Sequence, residues 1–170
     1  MIKRLAAIAF LVALPVVVQA QATSSVGMSF GIAEPTADGL DFNLEDSALE
    51  IYYQVPLDEG TSLKLKYGTL ESALDIEGTK GTGDFQYLDL LVAYEFDESF
   101  GKSSMFAGIG MYRQEIGDLD ESDYGFNAGV NATFPVTRRF ALTSELSYHY
   151  AHFASETGFL ILSGGVAINF

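Results

Sequence analysis

Large apolar residues recur at every second position in about eight segments of the chain. In one of them, Leu49, Ile51 and Tyr53 alternate with Glu50 and Tyr52. Successive side chains of a β-strand point to opposite faces, so this period predicts strands with one apolar and one polar face. The segments are about ten residues long, which is the length that a tilted strand needs to cross the hydrocarbon layer of a membrane.

The alternation predicts eight strands, separated by proline, glycine and polar residues. These strands cover 26–32, 49–55, 63–68, 87–96, 105–112, 124–134, 140–150 and 160–170. One face of them is almost uninterrupted Leu, Val, Ile and aromatic residues, with Ser144 as an exception, whereas a soluble sandwich would have polar outward faces. The pattern therefore predicts an all-β fold, an eight-stranded antiparallel up-and-down transmembrane β-barrel.

The fifth strand is ambiguous, because both of its faces are apolar or small. We favour Met105, Ala107, Ile109 and Met111 outward, which leaves glycines in the lumen where they relieve crowding.

The connections between the predicted strands alternate in length. Short turns are predicted at 56–60, 97–103 and 135–138, and longer loops at 34–47, 70–84 and 117–123. In bacterial barrels the short turns face the periplasm and the longer loops face outside, so both termini are predicted to be periplasmic.

The first residues have the pattern of an export signal. Lys3 and Arg4 precede an apolar run over 5–18, followed by small residues at which cleavage near position 20 or 22 is expected. The run is too short for a spanning helix. We therefore predict a signal peptide over 1–22, a barrel domain over 23–170 and export to the bacterial outer membrane. The chain has no cysteine, so closure of the sheet must replace disulfides as the stabilising device.

The formal net charge is −14 and becomes more negative when the two signal-peptide cations are removed. Nucleic acid is therefore excluded as a partner, because phosphate binding needs basic patches. The predicted external loops hold most of the acidic residues: Glu34, Asp38, Asp41, Glu45, Asp46, Glu71, Asp75, Glu77, Asp84, Asp118, Asp120, Glu121 and Asp123. Such oxygen-rich loops can share divalent cations with anionic lipopolysaccharide.

A metal site in these loops has one weak candidate, the set Asp118, Asp120 and Asp123. It lacks the central glycine and distal glutamate of an EF-hand loop, and a solvated run of charges is the alternative interpretation. No cofactor is predicted.

The inward face of the predicted barrel carries charged side chains. The predicted lumen network comprises Glu50, Lys64, Lys66, Asp89, Glu95, Glu145 and His149, with Arg113 and Glu115 near the outer end of the fifth strand. An eight-stranded barrel is just filled by side chains, and enclosed charges persist only when they are paired. A polar plug is therefore the main hypothesis, and a narrow channel for small solutes is the alternative.

One late cluster contains the residue types of a hydrolase, namely His149, His152, Ser155 and Glu156. It resembles the outer-membrane lipid A deacylases, which are also eight-stranded barrels with a late His–Ser pair. Their typical pair is His-x-Ser, whereas the order here is Ser147-Tyr148-His149 or His152-Phe153-Ala154-Ser155. A lipid A-modifying hydrolase is therefore an alternative function, and the main hypothesis is a non-enzymatic protein.

The closing segment alternates up to a terminal phenylalanine, with Leu162, Val166, Ile168 and Phe170 on the outward face. Together with the signal peptide, the eight strands and the glycine-rich fifth strand over 106–112, this ending resembles the small outer-membrane β-barrel family. That family includes outer membrane protein X, the Ail-type attachment proteins and the membrane domain of outer membrane protein A.

The resemblance implies a porin-like barrel in a Gram-negative cell envelope, in contact with outer-membrane lipids and lipopolysaccharide. It also implies that those four C-terminal residues form an insertion signal for the barrel insertion machinery. Relatives serve as adhesins or envelope-stabilising proteins, so we expect the acidic loops to serve surface interaction, with an external ligand, or envelope integrity.

Overall fold

A closed antiparallel barrel is formed by the residues that the computed structural model describes, 23–36, 46–76, 79–98, 101–116, 119–153 and 157–170. Its strands are β1 (Ser25–Pro35), β2 (Ser47–Asp58), β3 (Thr61–Ile76), β4 (Thr79–Glu98), β5 (Gly101–Ile116), β6 (Leu119–Pro135), β7 (Phe140–Ala151) and β8 (Thr157–Asn169). Each strand pairs with the next, and β8 returns to pair with β1. The predicted fold class is therefore confirmed. The predicted signal peptide lies outside the described residues.

The barrel has two ends that differ in their connections. We call the end with the β2–β3, β4–β5 and β6–β7 connections the turn end, and the opposite one the loop end. No helix in the described ranges is long and apolar enough to cross a membrane.

A belt of apolar side chains surrounds the outside of the barrel. Met105, Ile109 and Met111 are exposed on β5 while Phe106 and Tyr112 are buried, so the outward face favoured for this strand is the observed one. Other exposed members of the belt are Val26, Met28, Phe30, Leu49, Ile51, Leu88, Leu90, Val92, Val130, Leu142, Leu146, Leu162 and Ile168. An apolar surface that surrounds a whole barrel is a surface for lipid.

Aromatic side chains border the belt at both ends, as in membrane barrels. Exposed aromatic residues near the turn end include Tyr94, Phe96, Phe134, Phe140 and Phe170, and those towards the loop end include Phe30, Tyr67, Tyr124 and Phe126.

The strands are longer than the sequence predicted, and most of the predicted loops are strand. Residues 70–76 pair with 79–85, so the predicted loop at 70–84 is largely a β3–β4 ladder. Residues 119–123 likewise pair with 112–116. The apolar alternation stops where the strands leave the lipid, because both faces can then be polar, but the backbone hydrogen bonds continue.

Glycines lie beneath aromatic rings on the lumen side. A Cβ atom on Gly68 would lie 2.2 Å from Cζ of Tyr87, and one on Gly27 would lie 2.3 Å from Cζ of Tyr52. In both pairs the two residues are direct cross-strand partners. The rings therefore fold back over their neighbours and fill the lumen close to the wall.

Candidate functional site

The middle of the lumen contains a chain of ion pairs between side chains of different strands. Glu145 on β7 lies between two lysines of β3, with its Oε2 2.8 Å from Nζ of Lys64 and its Oε1 in contact with Nζ of Lys66. Lys66 also lies 3.2 Å from Oε1 of Glu50 on β2. All four side chains are at most 6% exposed. The ion pairs thus join opposite walls of the barrel, and we call these four residues the ion-paired layer.

Hydroxyl groups complete the coordination of Glu50. Tyr87 donates a hydrogen bond of 2.8 Å to its Oε1, while Ser29 and Ser163 donate bonds of 2.9 and 3.1 Å to its Oε2. A buried carboxylate needs several donors to offset its lost hydration, and this one has three in addition to Lys66. The sequence placed Tyr87 and Ser163 on the inward face, but it gave no signal that they would converge on Glu50.

The two lysines also contact aromatic rings. Nζ of Lys64 lies 4.6 Å from the centre of the Tyr52 ring, and the ammonium groups of Lys64 and Lys66 lie 4.9 and 5.0 Å from the centre of the Phe106 ring. Cation–π contacts of this kind stabilise desolvated ammonium groups. Phe106 therefore closes the network on the side of β5.

A second polar cluster contains Asp89 and His149, both fully buried. Nδ2 of Asn127 donates a 2.7 Å hydrogen bond to Oδ2 of Asp89. Nδ1 of His149 lies 3.1 Å from the hydroxyl of Tyr112 and 3.6 Å from the same Asp89 oxygen, and its Nε2 lies 3.2 Å from Oγ of Ser147. Residues of β4, β5, β6 and β7 meet at this point.

A layer of mostly aromatic side chains, which we call the aromatic layer, lies between the polar clusters and the loop end. The ring of Phe85 packs on those of Phe153 and Phe159, at centroid distances of 6.4 and 5.2 Å. Leu70 and Ile161 belong to the same buried cluster. The sequence did not predict this layer. Phe153 and Phe159 lie outside the predicted strands, where the alternation gave no information about their direction.

Glu95 is the member of the predicted lumen set that does not join the network. It accepts hydrogen bonds from Gln54 and from the exposed Lys102 near the turn end. Arg113 and Glu115 do not enter the lumen either. They occupy outward positions of β5, in the same alternation as Met105 and Met111.

The predicted hydrolase residues are not assembled as a catalytic site in the described part of the chain. His149 is fully buried, whereas His152 is exposed and stacks on Tyr124. Ser155 and Glu156 lie outside the described residues.

Of the candidate metal ligands Asp118, Asp120 and Asp123, the two that the structure describes are not brought together either. Asp120 occupies an outward position of β6 and pairs with Arg113, while Asp123 lies on the opposite face of the strand. Asp118 lies outside the described residues, and no cluster of three metal-ligating side chains occurs among the described ones.

Four acidic residues form a row across the outward surface near the loop end. The strand register places Glu71, Asp84, Glu115 and Asp120 side by side on β3, β4, β5 and β6. Adjacent strands are about 4.8 Å apart, so these carboxylates are close neighbours of like charge. All four are exposed, and Arg113 is the basic group that contacts Glu115 and Asp120. We call this set the acidic row.

Not all of the predicted acidic loop residues are exposed. Glu34 and Asp46, predicted in an external loop, are both buried at the loop end, and Glu34 lies within β1. Asp38, Asp41, Glu45 and Glu77 lie outside the described residues.

Several solved structures have the same architecture. Neisserial surface protein A has a TM-score of 0.69 at 14% identity, covering 89% of this chain and 98% of that chain. Ail of Yersinia pestis, in complex with the heparin analogue sucrose octasulfate, has a TM-score of 0.61 at 14% identity, covering 89% and 100%. The N-terminal β-barrel domain of Pseudomonas aeruginosa OprF has a TM-score of 0.57 at 18% identity, covering 88% and 100%.

The chain has the fold of the small outer-membrane β-barrels. Its apolar belt is the kind of surface that a barrel needs to span a membrane. No protein-family model matches the sequence, and no curated protein matches it.

Proposed function

We propose that this protein is a non-enzymatic outer-membrane barrel with a closed lumen, which acts through the surface of its strands at the loop end. The observation that carries the proposal is two successive layers of buried side chains inside the barrel. The ion-paired layer around Glu145 occupies the middle, and the aromatic layer around Phe85 occupies the loop end.

A solute would have to separate both layers to pass through the barrel. Separating a buried ion pair costs about 3–5 kcal/mol, because it leaves an uncompensated charge in a medium of low polarity. Here Glu145 bridges two lysines, so moving its carboxylate breaks two pairs together. A solute would also have to displace the packed rings of the aromatic layer, which argues against a channel for small solutes.

The positions of the two histidines support a non-enzymatic role. His149 is enclosed between the lumen layers, where a lipid substrate has no access, while His152 is on the outer surface and stacks on Tyr124.

Closure of the lumen is testable by conductance. The protein is refolded and inserted into planar bilayers, with insertion verified by gel migration that changes on boiling. We expect inserted protein to give no unitary currents. Reproducible unitary currents from the same preparation would overturn the closed lumen.

The acidic row supports a contact with the anionic lipopolysaccharide layer through shared divalent cations. Tyr67 is the last exposed side chain of the belt on β3, and Glu71 lies four residues beyond it. This separation corresponds to about 13 Å along the strand. This height corresponds to the polar headgroups rather than to the hydrocarbon. Neighbouring carboxylates there repel one another, and Mg²⁺ or Ca²⁺ bound between them and lipopolysaccharide phosphates would relieve that repulsion.

Two double variants of equal charge change test this contact. D84N/E115Q neutralises the centre of the acidic row, and D58N/E59Q neutralises two exposed carboxylates where β2 turns into β3. Unfolding is followed in bilayers containing lipopolysaccharide, with Mg²⁺ or with a chelator. We expect Mg²⁺ to stabilise the wild type and D58N/E59Q but not D84N/E115Q. An equal Mg²⁺ effect in all three proteins would refute the contact.

A further inference from the structure

The buried charges in the middle of the lumen do not balance when every group has its ordinary ionisation. Three carboxyl groups and two ammonium groups are enclosed there, contributed by Glu50, Asp89, Glu145, Lys64 and Lys66. An uncompensated charge in such a site is strongly unfavourable. One further positive charge must therefore be bound, either as a proton or as a cation.

Two oxygen atoms of the second polar cluster have no hydrogen-bond partner among the residues that the structure describes. Oδ1 of Asp89 and Oδ1 of Asn127 are both buried and unpaired, although the same two residues are already joined by the 2.7 Å bond from Nδ2 of Asn127 to Oδ2 of Asp89. A carboxylate can only accept hydrogen bonds, and so can an amide oxygen. While Asp89 is ionised, neither oxygen can satisfy the other.

We propose that Asp89 is a neutral carboxylic acid, whose Oδ1 hydroxyl donates a hydrogen bond to Oδ1 of Asn127. A carboxylic acid and a primary amide can pair edge to edge through two hydrogen bonds of opposite direction, and one of them is already present. A single proton then pairs both orphan oxygens and equalises the positive and negative charges of the lumen.

His149 is the other group that could hold this proton, but its neutral ring already satisfies its neighbours. With hydrogen on Nδ1, the ring donates to the hydroxyl of Tyr112, which donates in turn to the backbone oxygen of Phe126 at 3.3 Å. Ser147 then donates to Nε2. A second proton on the ring would take this acceptor from Ser147 and would leave both orphan oxygens unpaired.

A bound metal cation fits the site less well than a proton. A Cβ atom on Gly110 would lie 1.9 Å from Oδ1 of Asp89, so this oxygen packs directly against the backbone of β5. A hard cation needs several oxygen ligands at about 2.0–2.6 Å around it. The backbone occupies the side of Oδ1 that such a shell would need.

The proton makes the stability of the barrel depend on pH. Asp89 is faced by Glu50 from β2, Lys66 from β3, Tyr112 from β5, Asn127 from β6 and His149 from β7. Loss of the proton adds a negative charge between them. An unfolded chain releases this proton in the ordinary carboxyl range, while the folded barrel retains it. The stabilising contribution therefore decreases as the pH rises above that range.

Infrared spectroscopy of the full chain, refolded in lipid bilayers, tests the assignment. At neutral pH the wild type should show the carbonyl stretch of a protonated carboxylic acid. D89N keeps the shape and neutrality of the side chain but should lose this band, whereas D120N, which alters an exposed carboxylate, should retain it. In the wild type the band should disappear at alkaline pH.

A band that persists in D89N would overturn the proposal. So would a wild-type spectrum without the band at neutral pH, which decides the question even if D89N does not refold. An absent band combined with stabilisation by an added monovalent or divalent cation would assign the missing charge to that cation instead.

Discussion

The ring of Tyr87 covers Gly68, its direct partner across β3 and β4, and extends its hydroxyl to Glu50 on β2. One glycine thus sets the position of a side chain that links the barrel wall to the ion-paired layer. Any larger side chain at position 68 would compete with the ring for the same volume.

Gly68→Ala should therefore destabilise the barrel. The new Cβ would lie 2.2 Å from Cζ of Tyr87, so the ring must move and its bond to Glu50 must lengthen or break. We expect a loss of about 1–3 kcal/mol in the free energy of unfolding, measured with urea in lipid vesicles. Gly164→Ala is the matched control, because its Cβ would meet only one atom, at 3.9 Å. Equal effects of the two variants would contradict this account of Tyr87.

Glu145→Gln should destabilise the barrel more than Gly68→Ala does, since it removes the charge between two buried lysines. Both ammonium groups would remain enclosed, with only Glu50 left to compensate Lys66. We expect a loss of about 3–5 kcal/mol in the free energy of unfolding.

Glu95→Gln is the control for this variant, because Lys102, its ionic partner, is exposed and the pair should contribute at most about 1 kcal/mol. The interpretation fails if Glu145→Gln unfolds at the same urea concentration as Glu95→Gln.

The exposed pair Arg113 and Asp120 leads to a prediction about pH. The hydrogen bonds from the guanidinium, followed by its charge, lower the pKa of the Asp120 carboxyl below its usual value. The pair should therefore be intact above the ordinary aspartate range and be lost only as the pH falls through the lowered value. A carbon-13 NMR titration should show Asp120 changing at lower pH in the wild type than in Arg113→Gln, and identical curves would exclude the effect.

Phe170 at the end of the closing strand has a stacking contact and is also a predicted insertion signal. Two variants can separate these roles. Phe170 stacks on Tyr53 at a centroid distance of 6.4 Å, and its backbone nitrogen donates to the oxygen of Ser24 at 2.9 Å. If the phenylalanine is read as an insertion signal, Phe170→Ala should reduce the amount of barrel assembled in the outer membrane of cells. Tyr53→Ala removes the same stacking contact but keeps the signal, so it should assemble normally. Equal assembly defects would assign the effect to stacking.

The sequence predicted the outward surface well, because a period of two depends only on strand geometry. It did not predict the ends of the strands. Beyond the lipid both faces of a strand such as β4 become polar, and the contrast that reveals a strand disappears, although the ladder continues.

The sequence predicted which side chains point into the lumen, but not which of them pair with one another. The sequence places Lys64 and Glu145 on inward faces, but they are 81 residues apart and meet only because β3 and β7 lie on opposite sides of the barrel. That meeting depends on the stagger of all the strands between them. The position of Glu95 near the turn end, away from the network, follows from the same stagger.

The seam between β1 and β8 has a consequence for the order of assembly. The pairs from Ser25↔Asn169 to Pro35↔Phe159 join the first and last strands, so these contacts have the largest sequence separation in the ladder. Pairings of this kind form late and slowly. β1 must therefore remain an unpaired edge on one side until β8 has arrived, and throughout that interval the nascent sheet needs protection from other chains.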